Sequence, residues 1–311
     1  MNSGQIISEI LPDHLRTAFS NLQLDKINEL RLRTNAPVVV CAYGKNRYLT
    51  QEGLADNLQK QNPIVLTRTD IEAIIHKASN YSIYAINEQL KQSFITIRGG
   101  IRIGIAGEVV IEKGQILTVK NVQSLNIRVP HEVKNCSINV LNYIFENPRP
   151  LKTLIISPPG CGKTTFLRDI AWQISDKYQL LSTLVLDERG EIAATHLGEN
   201  QLDVGDYSDV ITGANKANGF ENGIRSMRPD IVLTDEIATK SDVEMLKLAT
   251  RSGVSVIATV HASGIDEIRT KPYFSDLINE QVFDRYVVLG IGATPGKVTG
   301  IFDKNLRFLA G

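Results

Sequence analysis

Residues 157–165 read SPPGCGKTT and lie between the apolar run LKTLII and the helix-like run FLRDIAWQI. Gly160, Gly162, Lys163 and Thr164 supply the glycines, the lysine and the hydroxyl of a phosphate-cradling loop. In such a loop the backbone N–H groups point inward at a phosphate, and the helix that follows adds the partial positive charge of its N-terminus. The whole run, Ser157, Pro158, Pro159, Gly160, Cys161, Gly162, Lys163, Thr164 and Thr165, is therefore the expected nucleotide cradle. Lys163 would reach the β- and γ-oxygens, and Thr164 would offer its hydroxyl to Mg²⁺. Ser157 stands where the pattern has its first glycine. Small size is what that strand-ending position asks for, so serine is expected to be tolerated. Cys161 sits where loop amides and a helix dipole could activate a thiol, but it reads more simply as a small residue filling a tight loop.

A phosphate loop needs acids to handle metal and water. PDIVLTDEI (229–237) is an apolar strand ending in two carboxylates. Asp235 would hold the metal, and Glu236 would polarise the attacking water. LVLDERGEIA (184–193) ends another strand in Asp187 and Glu188, with Glu191 following, and ATVHA (258–262) ends a third in His261. In a parallel sheet these tips share the carboxyl edge with the phosphate loop, which makes Glu188 a candidate catalytic acid and His261 a candidate γ-phosphate sensor. NKAN (215–218) lacks the aspartate that would read guanine and precedes the acidic strand. The expected nucleotide is ATP, with Mg²⁺.

The elements that must position these residues fall into two textures. A length of 311 residues favours about two domains, and the boundary is expected in FENPRPLKT, giving domains 1–146 and 147–311. The first half mixes β-like runs (INELRLRT, PVVVCAY) with a helix, TDIEAIIHKASNYSIYAINEQL, opened by a Thr69–Glu72 capping box. An antiparallel meander follows over residues 92–129, with turns at Gly99–Gly100 and Lys113–Gly114. The second half alternates strand and helix, the mark of a mainly parallel sheet. Its strands are LKTLIIS, STLVLD, PDIVLTD, VSVIATV, FDRYVVLG and KVTGIFD. Its helix SDVEMLKLATRSG opens on a Ser241–Glu244 capping box and stops at Gly253.

Bulk composition excludes several classes. Lys plus Arg (34) balances Asp plus Glu (34), so no global charge draws the chain to nucleic acid. Three scattered cysteines make neither a disulfide framework nor a zinc site. The first residues lack the form of a signal peptide, and no apolar run is long enough for a membrane span. A cytoplasmic protein is expected.

In order, the loop SPPGCGKTT, the acidic box LVLDERGEIA and the run from IRSMRPDIVLTDEI to VIATVHA resemble the ATPase superfamily of type II and type IV secretion and pilus retraction. With INELRLRTNAPV, RGGIRIGIAGE and NVQSLNIRVPHEV, the chain is similar nearly throughout to the stage III sporulation protein AA family of endospore-forming bacteria. The resemblance implies an N-terminal α/β domain followed by a RecA-like P-loop NTPase domain. It also implies that Arg102 and Arg128 reach the nucleotide's phosphates from the first domain. The expected assembly is a homo-hexamer, peripheral to the membrane through the membrane proteins of a sporulation secretion complex, with no direct nucleic-acid contact and no zinc. The acidic strand ends Thr-Asp-Glu where many secretion ATPases have Gly-Glu, which gives Asp235 a direct place in metal handling. A nucleic-acid-remodelling RecA-fold ATPase and a nucleotide-regulated scaffold are the alternative readings.

Overall fold

The change of texture along the chain corresponds to two units in the computed structural model: residues 1–131 with 196–201, and residues 132–195 with 202–311. The structure describes residues 3–23, 26–57, 62–80, 87–146, 148–292 and 295–311.

The first unit begins with helices α1 (Ser3–Ile10) and α2 (Asp13–Ser20), followed by strands β1 (Ile27–Arg33), β2 (Val39–Ala42), β3 (Lys45–Thr50) and β4 (Gly53–Ala55). Helices α3 (Arg68–Ala78) and α4 (Asn87–Lys91) precede β5 (Phe94–Thr96), β6 (Arg102–Glu112) and β7 (Gln115–Arg128). Among the described residues the strands form one antiparallel sheet in the order β4-β3-β2-β1-β7-β6-β5. The expected meander is therefore β5 to β7. Lys113 (φ 50°) and Gly114 (φ 78°) make its two-residue turn, with Glu112 opposite Gln115. Alternation along β1 and β7 sends Leu30, Leu32, Leu125 and Ile127 into a core shared with Ile7, Leu15, Phe19 and Ile71. Residues 196–201 belong to this unit, where Gln201 Oε1 accepts from Gly99 N–H at 2.8 Å; within the segment His196 and Glu199 form a short backbone bridge with each other. Burial, and then the charge of Arg98, hold the His196 imidazole below its ordinary pKa.

The second unit opens with α5 (Leu141–Ile144) and the two-residue strands β8 (Phe145–Glu146) and β9 (Arg149–Pro150). It continues through β10 (Thr153–Ser157), α6 (Lys163–Lys177), β11 (Thr183–Asp187), β12 (Ser208–Thr212), α7 (Lys216–Met227), β13 (Ile231–Thr234), α8 (Lys240–Arg251) and β14 (Ser255–His261). Helices α9 (Ile265–Thr270) and α10 (Phe274–Asn279) lead to β15 (Arg285–Leu289), β16 (Val298–Asp303) and β17 (Phe308–Ala310). The sheet order is β12-β11-β13-β14-β10-β15-β16-β17, parallel as far as β15 and antiparallel over the last two strands. The central strands are buried on both faces, as their continuous Val/Ile/Leu composition requires. Period-2 alternation sorts them. Leu154, Ile156, Leu184 and Val232 pack with Phe220 of α7 and Leu246 of α8. Ile155, Val185, Ile231 and Ile257 pack on the other face with Phe166 and Ile170 of α6.

Three sequence expectations need correction. The boundary falls at 131/132, not at 146/147. Val140, Leu141, Ile144 and Phe145 are buried in the cluster that holds Ile155 and Phe166, so this stretch belongs to the second core despite the two prolines, Pro148 and Pro150, that follow it. Both capping boxes lie two residues earlier than read, at Thr67–Asp70 and Thr239–Asp242. A threonine upstream with Asp at the third helical position lets each helix start sooner and keep more backbone hydrogen bonds. The helix read over 69–90 ends at Ala78 and resumes as α4; residues 81–86 lie outside the described ones.

Candidate functional site

Chain order reverses beside β10: its neighbours are β14 on one side and β15 on the other. In an open parallel sheet, a crevice forms at the carboxyl ends of the strands where this happens. Ser157, the last residue of β10, stands in register with His261, the last of β14. The loop leaving β10 and the tip of β14 are therefore adjacent by strand pairing alone.

Ser157 is fully buried and its hydroxyl donates to the Pro158 carbonyl at 2.9 Å. It is absent from the residues with positive φ, so no left-handed backbone demands glycine there. Replacing Ser157 by Gly is thus expected to leave nucleotide affinity within about twofold, because the serine already fits without strain and glycine adds only chain entropy; isothermal titration with ADP checks this. Pro158 is half-buried, Pro159 and Gly160 are exposed, and Cys161 is buried. Gly162 caps α6 in the left-handed region (φ 80°), and no side chain caps the helix. The first N–H groups of the helix are thus left for an anion. Thr165 is half-buried in the first turn.

Lys163 is 9% exposed and its Nζ sits against His261 Nε2. An ammonium can only donate, so the ring accepts there and carries its proton on Nδ1. That Nδ1 is buried and has no hydrogen-bond partner among the described residues. Thr164 Oγ1 donates to Asp235 Oδ2 at 2.8 Å. The other oxygen, Oδ1, accepts from Thr259 Oγ1 at 2.6 Å and from Glu236 N–H at 2.9 Å. The Glu236 N–H also reaches Thr259 Oγ1 at 2.9 Å. These bonds hold Glu236 at φ 35°, a conformation an ordinary side chain avoids and one that clusters at functional sites. Its carboxylate pairs with Arg189 at 2.8 Å and lies 3.8 Å from His261 Nε2.

The acidic box divides its labour. Asp187 is buried and accepts the N–H groups of Glu191, Ile192 and Ala193 at 2.8, 3.1 and 2.9 Å, so it shapes its own loop. Arg168 of α6 donates to the carbonyls of Ile192 and Glu191 at 2.5 and 2.7 Å, and burial lowers its pKa. Glu188 pairs with Lys216 at 2.6 Å and lines one cleft with Arg189, Asp235 and Glu236. Arg102 and Arg128 lie in the first unit, directly opposite one another on β6 and β7, with Arg102 stacked 3.6 Å from the Phe94 ring.

The structure therefore gathers Lys163, Thr164, Asp235, Glu236 and His261 at one edge. Sequence reading missed Arg189, Lys216, Thr259 and Arg168 there. Thr259 had a signal, because it lies two residues before His261 on a strand already placed beside the loop. No group of three or more His, Cys, Asp or Glu able to hold a metal occurs among the described residues. None of the described helices is long and apolar enough to cross a membrane.

The sequence model of the family described as "Sporulation stage III, protein AA" matches residues 1–309. Stage III sporulation protein AA of Bacillus subtilis (strain 168) is 37% identical over 310 residues, covering 98% of this chain and 96% of that protein. Among solved structures, the ATPase DotB of Legionella pneumophila superposes with a TM-score of 0.56 at 15% identity, covering 93% of this chain and 79% of DotB. The pilus retraction motor PilT with bound ADP superposes at 0.57 and 14% identity, covering 93% and 78%. At such identities the likeness is one of fold: the RecA-like fold of secretion ATPases.

Proposed function

The chain belongs to the stage III sporulation protein AA family, and on that premise we propose that it is an ATP-hydrolysing motor of the secretion type. The observation that carries this reading is the Thr164–Asp235 contact. It sets a loop hydroxyl and a strand-tip carboxylate side by side at the mouth of an uncapped helix N-terminus. Both donors are oxygens, as Mg²⁺ requires, and two protein ligands leave room for waters and phosphate oxygens. Thr164 and Asp235 would hold the ion, which supplies charge neutralisation on the phosphoryl oxygens.

The remaining steps belong to the chain's own residues. Lys163 turns from His261 to the phosphate oxygens, because an ammonium bonds an anion more strongly than a neutral imidazole. His261, released from Lys163, can then carry its proton on Nε2 and donate it to the γ-phosphate. Glu236, fixed by its backbone bonds to Asp235 and Thr259, orients the attacking water. The family resemblance supports a role for Arg102 and Arg128 on the phosphates, for which a guanidinium fork is suited. The family resemblance supports a homo-hexameric ring docked on the membrane proteins of a sporulation secretion complex. In that ring, hydrolysis would do mechanical work on those partners.

Steady-state ATPase activity measured against protein concentration, with mass measured in parallel, tests the proposal. Activity that rises together with a nucleotide-dependent oligomer, and is lost in Lys163→Ala, is the expected result. Equal turnover by a strict monomer would refute the ring. Turnover surviving in Lys163→Ala would refute the site.

A further inference from the structure

Pro295 and Gly296, shortly before β16, lie against the phosphate loop. The neck of the connection from β15 to β16 is closed by Gly290 N–H donating to the Lys297 carbonyl at 2.9 Å. Beyond the neck, Gly296 N–H donates to the Cys161 carbonyl at 3.0 Å. A Cβ placed on Gly162 would meet Pro295 Cβ at 2.4 Å, so Pro295 lies directly on the loop's left-handed glycine. Gly296 is itself left-handed (φ 76°), and a Cβ there would meet Phe166 Cδ2 at 2.5 Å. Phe166 is fully buried in the first turn of α6.

Resting on the reading of this loop as a nucleotide site, we infer that Pro295 and Gly296 form a brace that aims the loop for phosphate, making both of them positioning residues. A trans peptide holds its C=O and the next N–H in opposite directions. Tying the Cys161 carbonyl outward to Gly296 therefore turns the Gly162 N–H inward, toward the cradle. Without an outside donor, the peptide between Cys161 and Gly162 could rotate, since glycine has no Cβ to forbid it. Phosphate binding would then have to order it first. The brace completes that ordering before the ligand arrives, which is where preorganisation yields affinity. Gly162 is constrained twice, by its own φ and by the proline lying on it.

The test is ADP affinity of the full-length chain by isothermal titration, with thermal melting alongside. Pro295→Gly removes the contact with Gly162 and loosens the donor. ADP affinity is expected to fall about tenfold, the equivalent of one net hydrogen bond of ordering, with little change in melting temperature. A second variant, Gly296→Ala, should lose more affinity because its Cβ meets Phe166, and Phe166→Leu in that background should restore part of it. If wild type binds ADP, Lys163→Ala does not, and Pro295→Gly binds like wild type, the brace is refuted while the site stands. If wild type and Lys163→Ala bind alike, the site reading fails first.

Discussion

Glu236→Gln should lower ATP turnover by about a hundred- to ten-thousandfold while leaving ADP affinity within a few-fold, the range expected when a positioned carboxylate is lost from proton handling. Isosteric replacement keeps the main-chain bonds of residue 236 to Asp235 Oδ1 and Thr259 Oγ1, so the strained backbone persists. What disappears is the charge that pairs with Arg189 and approaches His261. Single-turnover kinetics with titrated ADP separates the two effects. Arg189→Ala is the discriminating companion. It removes a largely exposed ion pair, worth at most about 1 kcal/mol, and spares the carboxylate. Turnover as low in Arg189→Ala as in Glu236→Gln would show that the pair, not the base, matters. Unchanged turnover in Glu236→Gln would favour a site that binds nucleotide without cleaving it.

Asp169→Ala should cost about 3 kcal/mol of stability, because it strands the two buried donors of Ser137 and the part-buried N–H of Asn135 at once. Asp169 is 2% exposed and sits in the second turn of α6. Its Oδ1 accepts from Asn135 N–H at 2.8 Å, and its Oδ2 accepts from the N–H and hydroxyl of Ser137 at 2.8 and 2.7 Å. Gln173, one turn on, donates to Asn135 Oδ1 at 2.9 Å. The segment entering the second unit is thus fastened to the helix that begins at the phosphate loop. Urea denaturation should show a midpoint lowered by about 1 to 2 M, while Ser137→Ala, which loses one bond, should shift it by less than half as much. Cys136 gives an independent readout. Burial, with the Asp169 charge and hydrogen bond adding to it, pushes its thiol up to about 12. Removing Asp169 should bring that pKa down and speed alkylation of Cys136. A denaturation midpoint unmoved by Asp169→Ala would deny the clamp.

The parallel strands were legible because burial on both faces leaves nearly continuous Val, Ile and Leu, as in TLIIS and TLVLD. The edge strand β12, SDVIT, was not, since one open side lets polar residues in and breaks the pattern. Phosphate loop, acidic tip and histidine could be read because their chemistry fixes their residue types. Arg189 and Lys216 could not, because a lysine or arginine in a polar stretch acquires a partner only when the chain folds. The domain boundary misled for a related reason: the prolines of FENPRPLKT mark a bend in the chain, and a bend can lie inside a core. Residues 140–145 are apolar enough to have argued against it.

Residues 196–201 fold with the first unit although the second unit encloses them in the chain, and Gln201 reaches Gly99 there. The gene therefore spells the first unit in two separated stretches. A recombination event that imported a contiguous leading segment would bring foreign residues 1–131 and keep the old 196–201, parting Gly99 from the glutamine it was matched to. Compatible changes at the two stretches must travel together, so neither unit is a cassette that can be exchanged alone. The two units have separate cores and are inherited as one.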